Sequence, residues 1–130
     1  MLLDTHAAIW HLLKSRKLSR AASAAIEKRI RRGLPIYISA VSIVEATYLA
    51  ERNRISLDAL NLLESALKDP SSGMVVAPLD LATASAVGRV PRDAVPELAD
   101  RIIAATALQL DVPLVTRDAR IQASGIRTIW

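Results

Sequence analysis

Four acidic residues in this 130-residue chain have the types and positions to bind a metal ion together. Asp4 ends an apolar run at residues 1–4, and Asp118 ends another at residues 113–118. Glu45 follows a third apolar run, and Asp100 stands at the start of an apolar helical stretch. Carboxylates gathered in one place repel one another, and their pKa values rise unless a cation neutralises them. The four acids together therefore predict a site for Mg²⁺ or Mn²⁺, which prefer oxygen ligands.

A carboxylate-held divalent cation is suited to phosphodiester hydrolysis. Such ions activate a water molecule and stabilise the leaving oxygen of an in-line displacement. The chain contains no cysteine, which excludes a thiolate metal site and a disulfide framework.

Each acid also has a structural explanation when it is taken singly. Asp4 and Asp118 have the position of helix N-caps, which accept hydrogen bonds from free backbone N–H groups. Ser42 and Glu45 fit a capping box, with Ser42 as the N-cap. Asp100 suits the positive end of a helix dipole. Capping and metal binding therefore both stay open for each position.

The elements that would position these acids alternate between strand and helix. Five short apolar runs predict strands, at residues 1–4, 35–39, 74–79, 113–118 and 126–130. Helical patterns cover residues 5–15, 19–33, 42–54, 56–69, 81–90, 98–108 and 119–124. Ser19 and Asp80 are the predicted N-caps of the second and fifth helices, and Gly33 is the predicted stop of the second. The alternation predicts an α/β fold: one domain over residues 1–130, with a parallel sheet of about five strands covered by helices on both faces. Sites in such sheets form beyond the carboxyl ends of the strands.

Four segments of the chain resemble the PIN-domain ribonucleases, and among them the VapC-type toxins of bacterial toxin–antitoxin pairs. These segments are LLDTHAAIW (residues 2–10), ISAVSIVEA (38–46), LADRIIAATAL (98–108) and PLVTRDARI (113–121). The resemblance spans the whole chain, and the pairing of its last two segments is the most specific part.

The resemblance implies a metal-dependent endoribonuclease that is the toxin of a type II pair. It implies an active site on Asp4, Glu45, Asp100 and Asp118, with Thr116 as an accompanying hydroxyl. It further implies a homodimer and a cognate VapB-type antitoxin that covers the site. Many relatives have an Asp-Pro pair where this chain has Glu97 and Leu98, so participation of Glu97 in the metal site is left open.

Three further residues are candidates for binding the substrate. Arg117 and Arg120 flank Asp118, and His6 follows Asp4 by two positions. Guanidinium groups bind phosphate well, but arginines beside carboxylates also serve to balance charge, the role expected for Arg101. A single histidine in a first helical turn is more often a packing or solvent-facing residue.

The basic composition is compatible with an anionic partner such as nucleic acid, but it is a weak signal. The net charge is +4, and aromatic residues make up only 3% of the chain. So few aromatic residues predict no stacking platform for sequence-specific reading of single strands, and recognition of RNA is expected to depend on backbone charge and shape. The start of the chain lacks the features of a signal peptide, and no apolar run reaches the roughly 18 residues of a membrane helix. We therefore expect a cytoplasmic protein without a membrane partner.

Other functions fit the residues less well. An aspartyl-phosphate phosphatase would need a second acid two positions after Asp4, where the chain has His6. A phosphoacceptor receiver domain would need adjacent acids after the first strand and a late lysine, and the chain has neither. The remaining alternative is a catalytically weak or inactive PIN-like module that binds RNA or a partner protein.

Overall fold

The computed structural model describes all 130 residues and contains five strands and seven helices. The strands are β1 (Leu2–Leu3), β2 (Ile36–Ser39), β3 (Met74–Ala77), β4 (Leu114–Val115) and β5 (Thr128–Ile129). The helices are α1 (Thr5–Leu12), α2 (Arg20–Arg31), α3 (Ala40–Glu51), α4 (Leu57–Lys68), α5 (Leu81–Ala86), α6 (Leu98–Gln109) and α7 (Ala119–Ala123).

The five strands form one parallel sheet in the order β3-β2-β1-β4-β5. The chain starts in the centre at β1, builds outward through β2 and β3, and then returns to the other side of β1 for β4 and β5. The strand order therefore reverses between β1 and β4. Loops that leave these two strands diverge, and the crevice between them is where open parallel sheets bind ligands.

Apolar clusters cover both faces of the sheet. Leu3, Ile38 and Val115 face a cluster that includes residues of α1, α2 and α4. Leu2 and Leu114 face a second cluster that includes residues of α5, α6 and α7. Adjacent residues of one strand serve opposite faces because side chains alternate along a strand. The predicted α/β fold, with helices around a five-stranded parallel sheet, is confirmed.

The structure corrects several predicted helix boundaries. Helix α1 ends at Leu12 rather than at residue 15, and α3 ends at Glu51 rather than at residue 54. Helix α3 begins at Ala40 rather than at Ser42, because the Oγ of Ser39 accepts the N–H of Val41 at 3.3 Å and caps the helix. The predicted capping box of Ser42 and Glu45 was therefore wrong. Helix α5 ends at Ala86, and the chain continues as a short 3₁₀ turn to residue 89.

Three other helix signals are confirmed. The Oγ of Ser19 accepts the N–H of Ala22 at 3.1 Å, and Oδ1 of Asp80 accepts the N–H of Thr83 at 2.8 Å. Gly33 follows the end of α2 with a φ of 62°, a left-handed conformation that glycine adopts without steric cost. None of the helices is both long enough and apolar enough to cross a membrane.

Candidate active site

A pocket of about 470 Å³ opens at the carboxyl edge of the sheet, where the strand order reverses. It is lined by Asp4, Thr5, His6, Trp10, Glu45, Glu97, Asp100, Ile103, Arg117 and Asp118. The four acids that the sequence singled out thus line one pocket, together with Glu97. We call this cavity the acidic pocket.

Asp4 and Asp118 each cap the helix that follows their strand. Oδ1 of Asp4 accepts a hydrogen bond from the Ala7 N–H at 2.6 Å. Oδ1 of Asp118 accepts from the N–H groups of Arg120 at 2.7 Å and Ile121 at 3.2 Å. These bonds satisfy backbone donors that the first helical turn leaves unpaired. Each cap uses Oδ1, so capping does not engage the second carboxylate oxygen and is compatible with metal binding.

Glu45 reaches the acidic pocket from the second turn of α3. Its carboxylate accepts a hydrogen bond from the hydroxyl of Thr5. Thr5 is the first residue of α1 and is buried. This bond links α3 to α1 and orients the Glu45 carboxylate beside Asp4, the neighbour of Thr5 in sequence.

Asp100 is positioned by the way α6 is anchored. The guanidinium of the next residue, Arg101, donates from Nη2 to the carbonyl oxygens of Val87 at 3.1 Å and Val90 at 3.0 Å. Arg101 therefore ties the start of α6 to the turn after α5, and it is absent from the lining of the acidic pocket. Glu97 occupies the N-cap position of α6 without a side-chain capping bond. Neither acid at this helix start is committed to capping the backbone.

The carboxylates of the acidic pocket strongly influence one another. Burial raises the pKa of Asp100 to about 7, and the negative charges of nearby carboxylates add to the increase. In order of size these charges belong to Glu45, Glu97, Asp118 and Asp4. Burial also raises the pKa of Asp4, against opposing hydrogen bonds from the Thr116 side chain and the Ala7 N–H. The pocket thus concentrates negative charge that a cation would neutralise.

The donor set suits a hard divalent cation, since its potential ligands are carboxylate and hydroxyl oxygens. In this arrangement, however, no three acidic or histidine side chains are grouped closely enough to coordinate one ion. Repulsion between carboxylates favours such separation. The acids therefore line one pocket but do not form a coordination shell in this arrangement.

Thr116 lies beneath the acidic pocket rather than on its lining. It is fully buried, and its hydroxyl oxygen accepts the N–H of Asp118 at 3.0 Å. Its side chain also forms the hydrogen bond that lowers the pKa of Asp4. Thr116 thus holds the backbone at Asp118 and stabilises the charged form of Asp4.

Two kinds of similarity to known proteins accompany this geometry. A sequence model described as the PIN domain matches residues 1–125. The chain belongs to the PIN-domain family. It is 35% identical over 125 residues to "Ribonuclease VapC22" of Mycobacterium tuberculosis, an alignment that covers 95% of this chain and 90% of that protein. The predicted resemblance is confirmed.

Solved structures share the fold over nearly the whole PIN domain. The crystal structure of VapBC2 from Rickettsia felis, bound to a DNA fragment from its promoter, matches with a TM-score of 0.71 and 15% identity, covering 98% of this chain and 95% of that one. A toxin-antitoxin complex from Klebsiella pneumoniae matches with a TM-score of 0.65 and 21% identity, covering 99% and 95%. At these identities the likeness concerns the fold.

The candidate substrate-binding residues of the PIN domain divide into two groups. Arg117 and His6 line the acidic pocket, whereas Arg120 does not. The Arg117 guanidinium carbon lies 5.9 Å from the ring centroid of Trp10, within the range of a cation–π contact. Arg120 is exposed and contributes its backbone N–H to the Asp118 cap. Only the first two are therefore placed to touch a molecule in the pocket.

The sequence did not predict three lining residues of the PIN-domain pocket, Thr5, Trp10 and Ile103. Thr5 positions Glu45, and its signal was a small hydroxyl residue directly after the strand-end acid. Trp10 lies further along α1 and also faces the pocket. Its signal was weak, because a tryptophan in an apolar helix is usually a core residue.

Proposed function

We propose that this PIN domain is a divalent-metal-dependent endoribonuclease that hydrolyses phosphodiester bonds of RNA. The observation that carries the proposal is the set of five acidic side chains lining one pocket at the switch point of the sheet. The ribonuclease name of the relative that is 35% identical gives independent support. Mg²⁺ or Mn²⁺ fits the oxygen-only ligand set.

The residues would share the work according to their position. Asp4, Asp100 and Asp118 would hold the ion, and Glu45 would complete the set directly or through water. The ion, when bound, supplies a water of lowered pKa and stabilises charge on the phosphate oxygens. Thr116 and Thr5 keep Asp4 and Glu45 oriented through their hydroxyl groups. Arg117 and His6 stand at the pocket to contact the RNA, and Glu97 at its exposed rim is a further, outer ligand candidate.

The proposal is tested by incubating the purified protein with labelled RNA in Mn²⁺, in Mg²⁺ and in EDTA. We expect cleavage that requires a divalent ion and that Asp100→Asn abolishes. Titration of Mn²⁺ by calorimetry should show binding that Asp100→Asn and Asp118→Asn weaken. RNA binding by the wild type without cleavage in any metal would instead favour the inactive binding module.

We further propose that the enzyme is the toxin of a type II toxin–antitoxin pair and acts in the cytoplasm. The support is a ribonuclease relative with the VapC name and a structural neighbour described as a toxin-antitoxin complex. A short adjacent reading frame for a DNA-binding antitoxin of the VapB type is expected. The product of that frame should bind the protein and inhibit its RNA cleavage. An adjacent protein without effect on cleavage would remove the toxin assignment but leave the nuclease.

A homodimer is also proposed, because the protein exposes apolar side chains between α3 and α6. Val44, Tyr48 and Leu98 are 55%, 57% and 71% exposed, and they line a shallow groove of about 300 Å³. Size-exclusion chromatography with light scattering should give twice the 14.1 kDa chain mass. A monomer at micromolar concentration would contradict the dimer.

A further inference from the structure

Trp10, which lines the acidic pocket, packs against the other tryptophan of the chain, Trp130. The ring centroids of Trp10 and Trp130 are 5.9 Å apart, and those of Trp10 and His6 are 5.5 Å apart. Composition predicted no stacking platform for sequence-specific reading of single strands, because aromatic residues are few. The fold nevertheless brings the two tryptophans and His6 into one group, which we call the aromatic cluster.

Trp10 is the member of the aromatic cluster that connects several cavities. It lines the acidic pocket and two neighbouring grooves, and its side chain is only partly buried. It is not part of either apolar core, whereas Trp130 packs against the core under β1. Part of the indole surface is thus accessible to a ligand beside the acidic pocket, next to the Arg117 guanidinium that lies 5.9 Å from the ring centroid.

One of the neighbouring grooves carries positive charge. This groove, of about 340 Å³, is lined by His6, Ile9, Trp10, Leu13, Ser15, Lys17, Arg54, Ile55, Ser56 and Ala59. Neither Lys17 nor Arg54 takes part in any of the three ion pairs of the protein. We call this cavity the basic groove; it shares only His6 and Trp10 with the acidic pocket. A strand passing from one cavity to the other must therefore cross the aromatic cluster.

We propose that Trp10 stacks one nucleobase of a single-stranded RNA substrate beside the acidic pocket, while Lys17 and Arg54 bind phosphates of the same strand in the basic groove. The inference rests on the proposed ribonuclease activity and adds the path of the substrate. Non-specific sites for single strands combine a positive groove with aromatic side chains, because every base has a π-face. The groove and the ring occur here side by side, next to acids that would hold the scissile phosphate through a metal.

The first experiment measures binding separately from cleavage. A fluorescein-labelled single-stranded RNA hexamer is titrated with protein in EDTA at low salt, in an Asp100→Asn background, and anisotropy is recorded. Trp10→Phe keeps an aromatic face, whereas Trp10→Leu keeps apolar bulk without one. We expect affinity within about twofold for the Phe variant and about a tenfold loss for the Leu variant, the size of one stacked base. Equal affinities for the Phe and Leu variants would overturn the stacking proposal.

A second measurement keeps Trp10 intact and does not depend on the folding of its variants. In Trp130→Phe, Trp10 is the only tryptophan, and a base stacked on it should quench its fluorescence. We expect quenching by the RNA hexamer and none by the same hexamer with all bases removed. Equal fluorescence with the two ligands, both at saturation, would mean that no base meets Trp10.

The basic groove is tested with charge-matched variants. Lys17→Gln and Arg54→Gln should each weaken hexamer binding, and the slope of log affinity against log salt should become shallower by about 0.7 for each phosphate that the variant no longer binds. Lys68→Gln removes the same charge from an exposed ion pair with Glu64 and should leave the affinity unchanged. Equal effects of the three variants would overturn the proposed path.

The outcomes distinguish this inference from the proposed function. If the wild type cleaves RNA but the Trp10→Phe and Trp10→Leu variants bind the hexamer equally well, the ribonuclease proposal stands and the proposed substrate path is rejected. A wild type that neither cleaves nor binds RNA would reject both.

Discussion

The acidic pocket contains two pairs of acids that the fold treats differently. Asp4 and Asp118 follow strands β1 and β4, and each caps the next helix through Oδ1. Glu45 and Asp100 project from helices α3 and α6, and neither caps a helix. The strand-end pair thus stabilises helix starts as well as adding charge. The helix-borne pair adds charge without capping a helix, although Glu45 also accepts the Thr5 hydrogen bond. Substitutions in the two pairs should therefore agree in their effect on activity and differ in their effect on stability.

The largest expected effect is a loss of RNA cleavage when a carboxylate is removed. This loss should be similar for the strand-end pair and for the helix-borne pair. We expect Asp4→Asn and Asp100→Asn each to lower the RNA cleavage rate by at least about a hundredfold, because each removes a proposed ligand of the metal ion. The cleavage rate is measured with labelled RNA under single-turnover conditions in Mn²⁺.

The matched control is Asp58→Asn, which removes an exposed acid from the first turn of α4, as Asp100 lies in the first turn of α6. The control should cleave at the wild-type rate. A similar loss in all three variants would show that helix-end charge, and not the pocket, governs the reaction.

Loss of the Thr5 hydroxyl should lower RNA cleavage less than loss of a carboxylate, because Thr5 acts on the helix-borne pair only through Glu45. Thr5→Val removes the hydrogen bond to Glu45 while it keeps the side-chain shape, and we expect cleavage to fall about tenfold, as for other partners that orient a metal ligand. Thr5→Ser keeps the hydroxyl and should retain most activity. Cleavage rates for the two variants in Mg²⁺ provide the measurement, and equal rates would mean that the bond does not orient Glu45.

Thermal stability should distinguish the strand-end pair from the helix-borne pair, because only the strand-end acids cap a helix. Asp118→Ala removes the cap of α7, and we expect Tm to fall by about 4 °C, corresponding to about 1 kcal/mol for the removal of an N-cap. Asp118→Asn keeps a capping oxygen and should stay near the wild-type Tm in EDTA, although both variants lose activity. Thermal unfolding followed by circular dichroism checks this, and a common Tm for the two variants would contradict the capping role.

The smallest expected effect is a gain of stability from the helix-borne pair. Asp100→Asn relieves repulsion in EDTA, and we expect Tm to rise by about 2 °C at pH 8, a modest change because solvent screens a half-buried group.

The pH dependence of this gain follows from the pKa of Asp100. The folded pKa, about 7, lies above the ordinary value of 3.8, so the unfolded chain loses its proton first as pH rises. Wild-type stability in EDTA should therefore fall between about pH 4 and pH 7 through this group, and the fall should be smaller in Asp100→Asn. Parallel Tm profiles for the two proteins would contradict the electrostatic account.

Much of the fold followed from local sequence patterns. The strands were found because short apolar runs end at polar or turn residues, and Ser19, Asp80 and Gly33 marked helix ends with side chains or backbone freedom suited to that position. The exceptions have tertiary causes. Helix α3 starts early because β2 ends at Ser39, which then caps it. Helix α5 stops at Ala86, where Arg101 from α6 binds the carbonyl oxygens of the following turn.

The acids of the candidate site could be predicted from the sequence, but the contacts that support them could not. Each acid could be placed at an element end from apolar periodicity, and the resemblance to PIN domains joined the four into one site. The support of that site was not predictable, because the Thr5 to Glu45 bond joins residues 40 positions apart. Nor could a sequence pattern show that the two tryptophans, at opposite ends of the chain, touch beside the acids.

The local sequence thus determined which residues bear charge and where strands and helices alternate. That alternation in turn indicated a parallel sheet. The return of the chain to the far side of β1 is a tertiary event, and it brings Asp4 and Asp118 together at adjacent strand ends. The packing of α3 and α6 then adds Glu45 and Asp100 to the same pocket. Proximity between distant residues depends on which apolar faces bury one another, and no local pattern carries that information.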